Sequence, residues 1–172
     1  MTTDASDANG TGEVAQAVAA ILEDNARTRA EFLAAIAGLP DDRRRERWFG
    51  EWSLYDILAH VIAWQDGFAH GLEQAVRGER PQVPGFDPTL EDGTDRFNAA
   101  AAEAAQGFSW DELMARLAAA RARQEAAVRS VVGAVAADRF EEGRSARRLA
   151  SCANHDREHL PQIIEWRRNA GI

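Results

Sequence analysis

Two histidines, His155 and His159, stand four residues apart near the C-terminal end of the sequence. In a helix, this spacing places both imidazoles on one face, one turn apart, with about 6 Å between their Cβ atoms. Two imidazoles in this arrangement can bind one metal ion, and a hydrogen-bonded pair of structural histidines is the alternative. The same face carries Cys152, Ile163 and Trp166, which places the pair on the inward side of an amphipathic helix.

A third histidine, His60, lies at the edge of the apolar face of an earlier predicted helix. If that helix faces the last one across a core, three neutral imidazoles can hold a divalent ion and leave positions open for water or substrate. His70 follows ten residues later. It would lie about 15 Å further along the helix and point elsewhere, so we expect it at the surface.

Several neighbours of the histidines allow two interpretations each. Asp56 is one turn before His60 and either orients its imidazole or caps the helix. Cys152 is one turn before His155 and either approaches the ion or fills the core as a small buried side chain. Three tryptophans either line a pocket at the site or pack in the core, namely Trp52, Trp64 and Trp166.

Composition excludes several classes of protein. The chain has 172 residues, 45% of them hydrophobic, as expected of a single globular domain, and no apolar run is long enough to cross a bilayer. A net charge of −8 argues against nucleic acid as a partner. The single cysteine excludes an internal disulfide, and residues 1–12 lack the features of a signal peptide. We therefore expect a cytoplasmic protein.

Helical periodicity predicts the fold. Residues 1–12 are polar and predict a flexible tail, and residues 13–172 predict one all-α domain, an up-and-down bundle of four helices. The third helix should be broken near Gly107, with Ser109 capping its second piece. Ser53 should cap the second helix, and Ser145 the last. The Pro- and Gly-containing connection over residues 78–90 is typical of a lid or a pocket wall.

Two motifs resemble a known family. The run W-S-L-Y-D-I-L-A-H at residues 52–60 and the run H-D-R-E-H-L-P-Q-I at residues 155–163 resemble the two signatures of the DinB/YfiT-like four-helix superfamily. The pairs Phe97-Asn98 and Leu160-Pro161 are also similar to its ClbS/DfsB-type branch.

The resemblance implies a bundle with a nickel- or zinc-type ion on His60, His155 and His159. It also implies a small-molecule substrate, the pairing of bundles into homodimers, and a stress or detoxification role. Similar proteins are transferases and isomerases that use a low-molecular-weight thiol, or hydrolases of electrophilic toxins. Many metal-binding relatives have arginine directly after the second histidine of the pair, where this chain has Leu160-Pro161. A proline removes a helical hydrogen bond and could tilt His159.

Two other functions remain open at this point. The same bundle could sequester a small ligand without catalysis, or it could be a dimerising structural module in which the histidines bind nothing. Metal content separates the last of these from the others.

Overall fold

The structure is a computed structural model that describes residues 3–172, with side chains from Gly10 onward. The predicted all-α class and the four-helix bundle are confirmed. Its helices are α1 (Thr3–Ile36), α2 (Asp41–Arg44), α3 (Leu54–Val76), α4 (Gly93–Ala104), α5 (Trp110–Ser130), α6 (Ser145–Ala150) and α7 (Ala153–Ala170), with a short 3-10 turn at Ala137–Arg139.

Helices α3 and α5 pack side by side and run in the same direction, so the predicted up-and-down order is wrong: these two consecutive long helices are parallel. The ring of Tyr55 at the start of α3 lies 5.7 Å from that of Trp110 at the start of α5. Near their other ends, Arg123 donates to the Glu73 carboxylate at 3.0 Å. The connection after α3 and helix α4, which packs on α3, return the chain to the end of the bundle where α5 begins. The predicted break near Gly107 is the turn between α4 and α5.

Helices α1 and α7 form the opposite pair, antiparallel to α3 and α5. Two apolar clusters hold the pairs together, one towards each end of the bundle, and each fully buried aliphatic or aromatic side chain contributes about 1.5–3 kcal/mol. The cluster near the start of α3 includes Phe32, Ile36, Leu54, Ile57, Leu113, Leu117 and Ile163. The cluster near its end includes Val14, Val18, Leu72, Val128, Val131 and Phe140.

Buried polar side chains lie between the two clusters, and each of the four long helices contributes at least one of them. We call them the polar layer: Asn25, Thr28, Arg29, Gln65, Arg121, Gln124 and Asp156. Burying an unpaired polar group is unfavourable, and two of these residues, Asn25 and Gln124, bind the backbone where the last helix is interrupted.

That interruption was not predicted: the last helical segment is two helices, broken at Ser151 and Cys152. The Asn25 amide donates to the carbonyl of Ala150 at 2.9 Å and accepts from the Ala153 N–H at 3.0 Å. Gln124 also donates to the Ala150 carbonyl, at 3.1 Å. The backbone groups released by the break are therefore bound by side chains of α1 and α5. Helix α6 begins at Ser145, and its N-cap is Arg144, so Ser145 is not the cap that was predicted.

The first helix also differs from the prediction, because α1 begins at Thr3 rather than at Glu13. Thus residues 3–12 are helical and not a loose tail, while residues 1–2 lie outside the described part of the chain. At Gly10, a Cβ atom would lie 3.4 Å from the Cβ of Ala137. Helix α1 packs against the 3-10 turn here, which supports a helical start that the polar sequence alone disfavours.

The long connection between α3 and α4 lies against α3 at two glycines. A Cβ at Gly67 would lie 2.5 Å from a methyl carbon of Val83, and one at Gly71 would lie 3.4 Å from the carbonyl oxygen of Gln82 and 2.6 Å from a methyl carbon of Leu149 in α6. A side chain at either position would have to displace these neighbours, so glycine allows the close approach. Across the described residues, no helix combines the length and the apolar character that crossing a membrane requires.

Candidate metal centre

His60 is positioned by the first turn of α3. Ser53 caps the helix, and the Asp56 carboxylate accepts hydrogen bonds from the Ser53 N–H at 2.8 Å and from its hydroxyl at 2.7 Å. This confirms the predicted cap. The backbone carbonyl of the same Asp56 accepts a hydrogen bond from Nδ1 of His60 at 3.2 Å. Asp56 thus caps the helix with its side chain and orients His60 with its main chain.

The two histidines of α7 meet His60 across the bundle. Nε2 of His60 lies 3.0 Å from Nε2 of His155 and 2.9 Å from Nε2 of His159. One nitrogen from each ring lies within 4.8 Å of the other two, an arrangement that could hold a metal ion. Ligand nitrogens about 2.1 Å from a shared ion lie roughly 3.0–3.4 Å apart, depending on the angle at the ion, so the observed separations are close to those of a divalent cation site.

Hydrogen bonds at the far sides of two rings determine which nitrogen carries the lone pair. A carbonyl oxygen can only accept, so Nδ1 of His60 is the protonated nitrogen, and its Nε2 carries a lone pair. His159 is held in the same way, because its Nδ1 donates to Oε1 of Gln162 at 3.1 Å. Two lone pairs therefore face each other at 2.9 Å. They repel unless a cation lies between them, which agrees with a metal site.

Burial keeps the imidazoles neutral, so a proton is a poor candidate for that cation. Desolvation, with a smaller effect of the neighbouring histidines, lowers the pKa of His60 to about 2. Desolvation also lowers the pKa of His155 to about 4 and lowers that of His159. Neutral imidazoles are the form that binds metals.

The polar layer adjoins the histidines through Asp156. Asp156, next to His155 in sequence, is fully buried, and one of its carboxylate oxygens accepts from Arg121 at 2.5 Å. Arg121 also donates to the Cys152 sulfur. Cys152 is fully buried and is not part of the histidine cluster. The structure therefore places Cys152 in the core rather than at the ion, and burial raises the pKa of its thiol to about 11.

An open cavity of about 740 Å³ adjoins the histidines. Trp52 and Trp64 line it, and the ring of Trp52 lies edge-on to His60 with centroids 4.8 Å apart. Trp166 does not line it. That indole stacks on Trp48 in the core, with centroids 4.8 Å apart and planes 9° apart. Trp166 is therefore a core residue, which was one of its two interpretations.

Proline 161 does not end α7, which continues from Ala153 to Ala170. His159, two residues before the proline, still reaches His60. His70 is not part of the cluster. The predicted pocket wall at residues 78–90 contributes indirectly, because Phe86 packs on Trp64 from outside the cavity lining, with ring centroids 5.0 Å apart.

Several residues at the site were not predicted. Gln162 has the i, i+3 spacing that would allow contact with His159, and that spacing was the available signal. Phe68 lines the cavity one turn after Trp64, and its spacing in the sequence indicates only an apolar helix face. Asn98 binds the Trp64 indole N–H, a contact between α3 and α4 that no local pattern could indicate. The pairing of Asp156 with Arg121 gave no sequence signal either.

Comparison with known proteins agrees with the fold. An all-α bundle whose second and last long helices bring three histidines together defines a class of candidate metalloproteins. The family model of the DinB superfamily matches residues 11–163, and the chain belongs to that superfamily. No curated protein and no solved structure matches the chain.

Proposed function

We propose that this protein is a divalent-metal-dependent enzyme that acts on small electrophilic compounds. The observation that carries the proposal is the convergence of three Nε2 atoms, two of them fixed as lone-pair donors, beside an open cavity. The expected reaction is transfer or isomerisation with a low-molecular-weight thiol, or hydrolysis. A role in stress or detoxification follows from this chemistry.

His60, His155 and His159 would hold the ion, and we propose nickel or zinc, two of the metals that imidazole nitrogen suits. When bound, a divalent ion lowers the pKa of a coordinated water or thiol and polarises a carbonyl. The chain's own residues orient the imidazoles through the Asp56 carbonyl and the Gln162 amide. Trp52 covers one side of His60 and excludes water there.

The cavity supports a small-molecule substrate. Its volume of about 740 Å³ lies within the range of pockets that enclose a metabolite or a drug-sized ligand. Since the histidines form part of its wall, a bound compound lies next to the proposed ion. This proximity favours an enzyme over a purely structural bundle.

The test begins with elemental analysis of protein purified without a histidine tag. We expect about one nickel or zinc ion per chain, lost in His159→Ala and retained in His70→Ala, which removes a histidine outside the cluster. Turnover of an electrophilic aryl halide with a low-molecular-weight thiol, and hydrolysis of activated esters, should then disappear with the metal.

Two results would contradict the proposal at different levels. Equal metal content in the wild type and in His159→Ala would remove the metal site. A full complement of metal without any turnover would favour the alternative of a ligand-binding protein that catalyses nothing.

A further inference from the structure

Four aromatic side chains line the cavity beside the histidines, and we call them the aromatic wall: Phe49, Trp52, Trp64 and Phe68. They come from α3 and from the turn that precedes it. This is a concentration of flat apolar surface next to a polar centre. A metal-bound water or thiol needs no such surface for its own binding, so the wall requires a separate explanation.

Trp64 is held in a fixed orientation before any ligand arrives. Its indole N–H donates to Oδ1 of Asn98 at 2.8 Å. Behind it, the rings of Phe97 and Phe86 lie 4.5 Å and 5.0 Å away between centroids. The imidazole of His155 lies 6.5 Å from the indole between centroids and is nearly perpendicular to it. The ring is therefore a rigid surface that leads directly to the candidate metal centre.

Phe49 is unusual because it is 40% exposed at the mouth of the cavity. It sits on a tight turn in which Gly50 adopts φ of +59° and Phe49 pairs with Trp52 through the backbone. The turn exposes the apolar ring of Phe49 to solvent, whereas the neighbouring Trp48 packs against the core. A ligand with an apolar surface would cover it.

The cavity lining has more acidic than basic side chains. It carries the carboxylates of Glu51, Asp95 and Glu158 against one guanidinium, that of Arg148. A divalent ion on the histidines would offset this excess of negative charge, so the lining does not select a ligand with several charges of either sign.

We infer that the cavity takes a compound with a flat aromatic or conjugated group, which lies against Trp64 and Phe68 while a donor atom of the compound reaches the ion on the histidines. This inference rests on the proposed function, since it requires the metal. Beyond that function, the inference specifies which part of the compound the protein recognises. This part is a planar apolar group attached to the reacting or ion-binding end.

The test compares two hydroxamates that bind zinc through the same atoms, acetohydroxamate and benzohydroxamate. Their dissociation constants are measured by calorimetry on the zinc-loaded protein and compared with those for free zinc. We expect benzohydroxamate to bind at least about tenfold more tightly to the protein, beyond any difference for free zinc, because burial of one phenyl ring has this effect.

Substitutions in the aromatic wall test whether it causes the preference for benzohydroxamate over acetohydroxamate. Trp64→Leu and Phe68→Leu each remove one flat ring of the wall at similar hydrophobicity, and each should reduce the preference at least threefold. Phe108→Leu is the matched control, since Phe108 packs at the edge of the core under Arg116 and does not line the cavity. It should keep the full preference.

Equal affinity of the two hydroxamates for the wild-type protein would overturn the inference while leaving the metal-dependent function intact. A preference that persists in both wall variants would overturn the assigned location. Failure of the wild type to bind zinc would instead remove the proposed function, and the inference with it.

Discussion

Gln162 determines which nitrogen of His159 faces the other two histidines. Its amide oxygen accepts from Nδ1 of His159 at 3.1 Å, which leaves Nε2 as the lone-pair nitrogen. Partners of this kind fix both the tautomer and the orientation of a metal-binding imidazole, and they raise its basicity. His155 lacks such a partner within the described residues, because its Nδ1 is buried without a hydrogen bond. The contribution of Gln162 to the site is therefore concentrated on His159.

We expect Gln162→Leu to weaken zinc binding by about 10- to 100-fold, because the imidazole loses the acceptor that orients it. Gln162→Glu keeps an oxygen acceptor at the same position and should retain most of the affinity. Competition with a fluorescent zinc chelator measures both constants.

Gln16→Leu, an exposed glutamine of α1, serves as the control and should bind zinc like the wild type. If Gln162→Leu also keeps the wild-type constant, Gln162 has no positioning role.

At the scale of the helices, α5 and α7 are joined by a buried ion pair. Arg121 and Asp156 have side chains that are 8% and 0% exposed. Breaking a buried pair by removing one partner is strongly destabilising, since it leaves a charge in the core without compensation. Asp156 follows His155 directly, so the ion pair also fixes the position of α7 close to its two histidines.

We expect Arg121→Met to lower the free energy of unfolding by about 3–5 kcal/mol, because the Asp156 carboxylate loses its cation. Arg123→Met is the matched control. Arg123 also joins α5 to a carboxylate on a neighbouring helix, Glu73, but its side chain is 44% exposed, so its loss should reduce stability by less than about 1 kcal/mol. Urea denaturation followed by circular dichroism measures both. Similar effects of the two substitutions would contradict this account.

Local sequence patterns predict much of the fold because their causes lie within a few residues. The capping boxes at Ser53 and Ser109 and the break near Gly107 follow from neighbouring residues, and the structure contains them. The interruption at Ser151 could not be predicted in this way. It depends on Asn25, which is 125 residues before Ala150 in the sequence.

The same distinction applies to the site. His155 and His159 share a helical face, so their proximity follows from spacing alone. The sequence could not decide which tryptophans line the cavity, because Trp64 and Trp166 both lie on apolar helix faces. Trp64 faces the cavity, and Trp166 stacks on Trp48, which belongs to a different segment. The choice depends on tertiary packing.

At the scale of the whole molecule, the bundle keeps three basic groups neutral inside a chain that is otherwise acidic. In the unfolded chain, an imidazole has a pKa of about 6.5. In the folded protein, burial lowers the pKa of His155 to about 4 and that of His60 to about 2. Between these values and 6.5, the unfolded chain binds more protons than the folded one. The folded state must therefore lose stability as the pH falls below about 6.5.

We predict that the free energy of unfolding of the metal-free protein decreases from pH 6.5 towards pH 5, and that His60 alone accounts for up to about 1.4 kcal/mol per pH unit of this slope. His60→Gln should flatten the slope by that amount, whereas His70→Gln, outside the cluster, should keep the wild-type slope. Urea denaturation in the presence of a chelator, repeated across this range, provides the measurement. Carboxylates contribute equally to all three proteins, so the difference between variants isolates the imidazole. If His60→Gln and the wild type show the same slope, the imidazole of His60 is not held neutral by the fold, and the lone pairs that face each other at 2.9 Å would no longer require a metal ion between them.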